Sequence, residues 1–282
     1  MMVKFKRLSY SVLLIAPLLA ICPTASGAGK NSQASLDRLI AVLSTEHCAV
    51  GCPSGGSDVT VWRDAYVLNN NAHTKFANWV AYKITKDSSA SGRRRSWRKD
   101  PDIPASDTLS PLDYEGANAA LNVQRGHQAG LAAMSGVPDW EALNYLSNIT
   151  PQRDVLNMGA WARLEDRERE LGKAADVDGV HVLTGPLYER YIGVLPQASK
   201  AHIIPSGYWK LISVGSTPEN GMYASFVLDQ DSPRQANFCD YQVTVSDIEK
   251  RSGLTIWTDL PAEVQAVLKS TQGQLLKRIG CE

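Results

Sequence analysis

The order of strand-like and helical segments restricts the fold of this chain most strongly. Residues 79–85 alternate apolar and polar side chains as a half-buried strand does, and three later segments have strand composition: residues 180–184, 209–214 and 223–228. The last two are expected to be antiparallel neighbours. Helical segments are predicted at residues 35–43, 139–145, 156–171, 246–251 and 261–270. Because strands and helices do not follow a regular βαβ rhythm, we predict an α+β domain with a largely antiparallel central sheet flanked by helices.

The first 28 residues have the pattern of a secretory signal peptide. Lys4, Lys6 and Arg7 precede an apolar run over residues 12–21, and small residues follow up to residue 28. The run is short for a membrane span, and no later segment reaches about 18 uninterrupted apolar residues. We therefore predict a signal peptide at 1–28, a single domain at 29–282, and a protein secreted to the periplasm or the extracellular space without membrane contact.

The charge balance excludes a polycation. The chain has 29 Lys and Arg against 29 Asp and Glu, and removal of the signal peptide leaves a small negative excess. A protein of this composition that handles nucleic acid needs a local basic patch and a bound cation, because net attraction to phosphate is absent. Residues 93–99, of which five of seven are basic, are the best candidate. The alternative is an ordinary solvated charged surface.

The cysteines are expected to form disulfides. Cys22 leaves with the signal peptide, and the four that remain favour pairing in an oxidising compartment. Of the three possible connectivities we favour Cys48–Cys52, which lie four residues apart across a turn, with Cys239–Cys281, which would attach the C-terminus to the body. A zinc site at the first pair is the weaker alternative, because no second pair follows at zinc-finger spacing.

The predicted helix at residues 156–171 carries an unusual row of side chains. Asn157, Trp161, Glu165 and Arg169 recur every four residues and would therefore share one side of a continuous helix. Three of the four, Asn157, Glu165 and Arg169, have polar side chains that can form hydrogen bonds, which favours a functional role. The alternative is a solvated surface with a Glu165/Arg169 ion pair.

The most informative motif is Gln-Arg-Gly-His-Gln-Ala-Gly at residues 124–130, followed by Leu-Ser-Asn-Ile-Thr-Pro-Gln at residues 146–152 and then by the polar helix. In these segments and at residues 184–190 the sequence resembles the DNA/RNA non-specific endonucleases of the ββα-metal superfamily. The resemblance covers nearly all of the chain after the predicted signal peptide. It implies a ββα-metal motif, a hydrolase that cuts DNA and RNA to 5′-phosphorylated oligonucleotides, and a homodimer.

The resemblance, not the spacing, also implies the roles of individual residues. The family's base histidine corresponds to His127 and its metal-ligand asparagine to Asn157. The family motif is Asp-Arg-Gly-His, and here Gln124 occupies the position of the aspartate. The other polar residues of the family site correspond to Arg95, Arg125, Asn148, Gln152, Glu165 and Arg169.

These roles agree with the chemistry of phosphodiester hydrolysis. Histidine titrates near neutral pH and suits a general base. Magnesium, with manganese as a substitute, binds hard oxygen donors such as the Asn157 amide and retains several waters, to which Glu165 can offer hydrogen-bond acceptors. Arginines grip phosphate through two oxygens. Outside this motif, structural or surface roles are expected for His47, His73, His181 and His202.

Recognition through phosphates, which DNA and RNA share, would explain indifference to sequence and sugar. The main alternative is a relative that binds nucleic acid but is catalytically impaired, because Gln124 replaces the family's aspartate. Weaker alternatives are a phosphodiesterase with another substrate and a nuclease delivered as an antibacterial toxin.

Overall fold

The computed structural model describes residues 26–281 of the chain. Residues 1–25 of the predicted signal peptide lie outside the described residues. The residues from Leu39 onward form one compact unit, and the described residues before Leu39 belong to a separate unit. Within the described part of the chain, no helix combines the length and the apolar character needed to cross a membrane.

A seven-stranded sheet forms the centre of the larger unit, with the strand order β1-β2-β3-β6-β7-β8-β9 and antiparallel pairing throughout. The strands of this sheet are β1 (Thr60–Trp62), β2 (Val67–Asn70), β3 (Ala77–Ile84), β6 (Val180–Leu187), β7 (Gly207–Val214), β8 (Tyr223–Asp229) and β9 (Gln242–Val243). The expected fold class and the antiparallel pairing of β7 with β8 are confirmed. The sequence did not reveal β1 and β2, because both are short and β2 is buried along its whole length, so its side chains do not alternate in polarity.

The α-helices of the described residues are α1 (Ser26–His47), α2 (Ala117–Leu121), α3 (Leu131–Met134), α4 (Asp154–Asn157), α5 (Ala160–Gly172), α6 (Val245–Ser252) and α7 (Ala262–Ser270). Of these, α5 and α6 pack against opposite faces of the sheet. All eight residues of β7 are buried, as expected for a strand covered on both sides. Tyr208 and Ile212 pack in the core that includes α5, and Trp209 and Leu211 pack in the core that includes α6.

A separate two-stranded sheet carries the histidine motif. β4 (Val123–His127) pairs antiparallel with β5 (Ile149–Arg153), and α4 and α5 follow β5 directly. Gly126 is required in β4 because a Cβ atom there would lie 2.8 Å from Cβ of Gln152, well inside van der Waals contact. The hairpin and the helix after it form the expected ββα arrangement.

The prediction of one continuous helix at residues 156–171 was wrong, because the helical segment is interrupted at Gly159, between α4 and α5. A Cβ atom on Gly159 would overlap the Val155 carbonyl oxygen and lie 2.8 Å from the Arg234 carbonyl oxygen, so close backbone approach selects glycine. Asn157 therefore belongs to a separate helical turn. Trp161 is not part of an exposed polar row either, since it is buried against Tyr208 with ring centroids 5.6 Å apart.

The segment at residues 139–145 also differs from its prediction. It forms a 3-10 helix, Trp140–Asn144, rather than an α-helix. Asp139 does not cap this helix through its side chain, because its carboxylate accepts a hydrogen bond from the backbone N–H of Asp64 at 3.1 Å. The competing long-range bond draws the capping side chain away from the helix end.

Both expected disulfides are present. Cys48 and Cys52 are bonded with a Cα–Cα separation of 4.9 Å, and Cys239 and Cys281 with a separation of 5.4 Å. Because the Cys48 and Cys52 sulfurs bond each other, the alternative of a zinc site at this pair is rejected.

Candidate active site

One cavity of about 600 Å³ brings together most of the residues that the sequence singled out. The β4–β5 hairpin, α5 and the basic segment meet there. Of the predicted site residues, all of them described, seven line this cavity: Arg95, Gln124, Arg125, His127, Asn157, Glu165 and Arg169. Asn148 and Gln152 do not line it.

His127 ends β4 and points its ring into the cavity, where it is half-buried beside Trp97 at a centroid distance of 5.3 Å. Burial of the ring, followed by the positive charge of Arg95, lowers the pKa of His127 to about 3. The imidazole is therefore neutral at neutral pH. A neutral ring has one nitrogen with a free lone pair, which is what a general base needs.

Asn144 is a neighbour of His127 that the sequence analysis missed. Within the described chain, His127 Nε2 and Asn144 Oδ1 are both buried and neither has a hydrogen-bond partner at standard distance, while the Asn144 side chain raises the pKa of His127 in opposition to burial. A hydrogen bond donated by Nε2–H to Oδ1 would satisfy both atoms and would leave Nδ1 as the acceptor. Asn144 belongs to no motif in the sequence, and only the fold brings it beside the ring.

Asn157 and Glu165 approach the cavity from the helical side. Asn157 ends α4, and Glu165 lies within α5 near the loop after β4, where a Cβ atom on Gly130 would be 3.4 Å from Glu165 Oε1. Burial raises the pKa of Glu165 to about 7, while the nearby cation of Lys210 acts in the opposite direction. Small changes in the surrounding charge therefore decide whether Glu165 is ionised at neutral pH.

The arginines are held by specific contacts. Arg169 forms an ion pair with Asp166, not the alternative pair with Glu165, to whose backbone oxygen it donates a hydrogen bond at 3.2 Å. Arg125 donates to the Pro111 carbonyl oxygen at 3.0 Å, and its guanidinium lies 5.7 Å from the Trp97 ring centroid. These contacts orient both guanidinium groups at the cavity.

The basic segment is attached to the chain beside Asn144. Arg98 N–H donates to the Asn144 carbonyl oxygen at 3.1 Å, and Leu146 N–H donates to the Arg98 carbonyl oxygen at 2.9 Å. This pairing brings Arg95 to the cavity while leaving its side chain exposed. The sequence identified the patch but could not show that it runs past the histidine.

Asn148 and Gln152 are buried and do not line the cavity. Asn148 is fully buried and accepts a hydrogen bond from Ala129 N–H at 2.8 Å, while its amide donates to the carbonyl oxygens of Leu143 at 3.0 Å and Ala129 at 3.1 Å. It therefore fixes the loop that follows His127. Gln152 is buried and packs over Gly126. Both positions suit support of the hairpin better than contact with a substrate.

The donor set at the cavity fits a hard divalent cation. Asn157 would supply an amide oxygen to the ion, and the Glu165 carboxylate would accept hydrogen bonds from its waters, for which the cavity leaves room. Within residues 26–281 no cluster of three or more His, Cys, Asp or Glu side chains is arranged to hold a metal. A softer ion such as zinc, which favours several nitrogen or sulfur ligands, fits this site poorly.

Three of the remaining histidines have contacts or exposure that account for them. His47 is buried with Nε2 3.1 Å from the Arg63 carbonyl oxygen, and His202 Nε2 accepts a hydrogen bond from Leu195 N–H at 2.9 Å. His73 is exposed.

Comparison with known proteins agrees with this geometry. The sequence profile of the DNA/RNA non-specific endonuclease family matches residues 43–263. The chain is 58% identical to a nuclease of Serratia marcescens over 252 residues, which cover 89% of this chain and 94% of the relative. Human mitochondrial endonuclease G is 26% identical over 226 residues, covering 75% of this chain and 73% of that protein.

A solved structure shows the same fold at greater distance. The matching chain in the crystal structure of the EndoG/EndoGI complex has a TM-score of 0.63 and 23% sequence identity, and the match covers 77% of this chain and 92% of that chain. The fold and the site thus define a metal-dependent nuclease. The chain belongs to the DNA/RNA non-specific endonuclease family, and it is an endonuclease.

Proposed function

We propose that this chain is a secreted, magnesium-dependent endonuclease that hydrolyses both DNA and RNA to 5′-phosphorylated oligonucleotides. The observation that carries the proposal is the neutral His127 ring in one cavity with the Asn157 amide and the Glu165 carboxylate. A base, a metal-binding oxygen and a water-binding carboxylate are the groups that phosphodiester hydrolysis needs, and the family membership supports the same assignment.

His127 takes the proton from the attacking water. The low pKa keeps its ring unprotonated at working pH, and Asn144 holds the tautomer in which Nδ1 is the proton acceptor. A positioned general base typically contributes roughly 10²–10⁴-fold to the rate.

Arg95, Arg125 and Arg169 hold the phosphate, and they stay charged throughout turnover. Asn157 would hold the magnesium ion, and Glu165 would accept hydrogen bonds from the waters around it. When bound, the ion neutralises the negative charge that develops on the phosphate and on the leaving oxygen. Because phosphates are common to both nucleic acids, contacts of this type do not distinguish DNA from RNA.

Secretion and dimer formation are further parts of the proposal. Two disulfides suit an oxidising compartment, and the sequence of residues 1–28 has the pattern of a signal peptide. The homodimer stays a prediction from the family. Mass spectrometry of the secreted protein would test removal of the signal peptide. Sedimentation of the purified protein in the analytical ultracentrifuge would test dimer formation.

The experiment that tests the activity is digestion of plasmid DNA and of ribosomal RNA by the purified protein. We expect both to be cut when magnesium is present, and neither in excess chelator, with 5′-phosphate ends on the products. Magnesium should restore the chelated enzyme. Retained binding without cutting would favour the impaired relative in which Gln124 has removed turnover.

A further inference from the structure

Trp97 is the only aromatic residue of the basic segment at residues 93–99. It is half-buried, packs against the core cluster that contains Tyr114, and also lines the active-site cavity. The next residue, Arg98, is fixed by backbone hydrogen bonds to the chain at residues 144–146. The indole therefore has a defined place in the wall of the cavity, unlike the exposed charged side chains around it.

Two groups of the candidate active site lie against this indole. The ring of His127 has its centroid 5.3 Å from that of Trp97, with an angle of 39° between the ring planes. The guanidinium carbon of Arg125 lies 5.7 Å from the centre of the Trp97 ring. Both distances are within the range of attractive aromatic and cation–π contacts. One side chain thus contacts both the proposed base and a proposed phosphate-binding cation.

Arg125 is held by aromatic rings, not by a carboxylate. Its guanidinium carbon also lies 5.2 Å from the ring centre of Tyr114, which is buried and donates a hydrogen bond to the Ile149 carbonyl oxygen at 3.2 Å. Among the described residues no carboxylate forms an ion pair with Arg125, whereas Arg169 is paired with Asp166. A carboxylate would compete with phosphate for the guanidinium, but an aromatic face attracts the cation and leaves its charge in place.

We propose that Trp97 is a positioning residue of the nuclease site, whose indole orients the Arg125 guanidinium towards the substrate phosphate and fixes the His127 ring beside it. This inference rests on the proposed function. Because the cation and the base pack against the same rigid ring, their separation stays constant when a phosphate binds. The contact with Arg125 acts on substrate binding, and the contact with His127 acts on turnover.

DNA binding in excess chelator tests the contact with Arg125 without cleavage. Binding of a labelled DNA duplex is followed by fluorescence anisotropy for Trp97→Leu, Trp97→Phe, Arg125→Ala and the double variant Trp97→Leu/Arg125→Ala. Trp97→Leu should raise Kd about 3- to 10-fold, the range of one cation–π contact. Trp97→Phe should raise it less, because a ring face remains. In the Arg125→Ala background Trp97→Leu should have no further effect, since residues that act through one contact are not additive.

Turnover at saturating DNA and magnesium tests the contact with His127. Trp97→Leu should lower kcat about tenfold, less than removal of a general base, and Trp97→Phe should retain most of the parent rate. Trp62→Leu is the matched control. Trp62 is also half-buried, but it packs in the core that includes α6 and does not line the cavity. Its Kd and kcat should equal those of the parent.

A purely structural tryptophan would give a different result. Trp97→Leu would then lower the unfolding temperature as Trp62→Leu does, and any loss of binding would add fully to that of Arg125→Ala. Full additivity, or parent-like Kd and kcat in Trp97→Leu, would overturn the proposal. If Trp97→Leu does not fold, Trp97→Phe in the parent and Arg125→Ala backgrounds decides the outcome. An inactive parent protein would refute the proposed function instead, and the binding measurements would still test the contact between Trp97 and Arg125.

Discussion

Asn144 and His127 lie side by side beneath the basic segment, each with a buried polar atom that the other can satisfy. We expect Asn144→Leu, which preserves size but removes the acceptor, to lower turnover by roughly 10²-fold, the lower end of the range for a general base. The ring would lose the bond that fixes its tautomer. Turnover rates and nitrogen-15 NMR of the His127 ring measure the two effects.

Asn144→Asp provides the matched control, because it retains an acceptor oxygen at the same position. It should keep the His127 tautomer and raise the pKa of His127 through its negative charge. Parent-like turnover in Asn144→Leu would show that the ring is oriented without this side chain.

Gln124 is the residue at which the chain departs from the family motif, and its side chain lines the cavity. Gln124→Asp adds a negative charge there, which acts on another charge about 6 Å away with roughly 3 kcal/mol at an effective dielectric near 20. The variant should therefore saturate at lower magnesium. The carboxylate also favours protonation of both His127 and Glu165, so the acidic limb of the pH–rate profile should move upward.

A magnesium titration and a pH profile of Gln124→Asp are the measurements. Curves that superimpose on those of the parent would indicate that residue 124 only forms a hydrogen bond to a neighbouring loop. Position 124 would then have no part in catalysis.

At the scale of elements, Gly159 separates the helical turn of Asn157 from the helix of Glu165. Local periodicity predicted one helix, but the backbone of Gly159 is not helical, and a Cβ atom there would meet the carbonyl oxygens of Val155 and of Arg234, the second from a distant part of the chain. The sequence thus predicted that these two residues cooperate, but not the geometry by which they do so. The 3-10 form of Trp140–Asn144 was not predicted either, since Asp139 accepts a hydrogen bond from the distant Asp64 instead of capping the helix.

We expect Gly159→Ala to displace α4 relative to α5, since the added methyl group overlaps backbone atoms that cannot rotate away. The free energy of unfolding should fall by about 2 kcal/mol, as for other overpacked sites. The magnesium concentration for half-maximal activity should rise, because Asn157 moves. Denaturant unfolding and a magnesium titration test the two effects.

Gly253→Ala is the control for this variant. Gly253 has a φ of 76° and open space around it, so alanine costs about 1–2 kcal/mol from backbone strain alone. Gly253 does not line the cavity. The magnesium requirement of the Gly253→Ala variant should therefore equal that of the parent. A Gly159→Ala variant that is destabilised but has an unchanged magnesium requirement would show that the break at Gly159 does not position Asn157.

For the whole molecule, the sequence predicted the α+β class, the long strands of the central sheet and both disulfides, since each depends on local patterns or on cysteine spacing. It did not predict that the exposed basic segment pairs with residues 144–146 and so reaches the histidine. The burial of Lys210 could not be predicted either, because a lysine between two apolar neighbours is typical of the solvent-exposed face of a strand. Long-range contacts decide both features.

The assignment of His127 as base and Asn157 as metal-binding residue is the central claim, and one experiment separates the two roles. Initial rates of DNA and RNA cleavage are measured across a magnesium titration for the parent, His127→Ala and Asn157→Ala, with substrate binding followed by gel shift in chelator. His127→Ala should lose roughly 10²–10⁴-fold in rate at every magnesium concentration while still binding substrate. Asn157→Ala should instead recover part of its activity at high magnesium. Near-normal cleavage by His127→Ala, or an unchanged magnesium dependence in Asn157→Ala, would contradict the account.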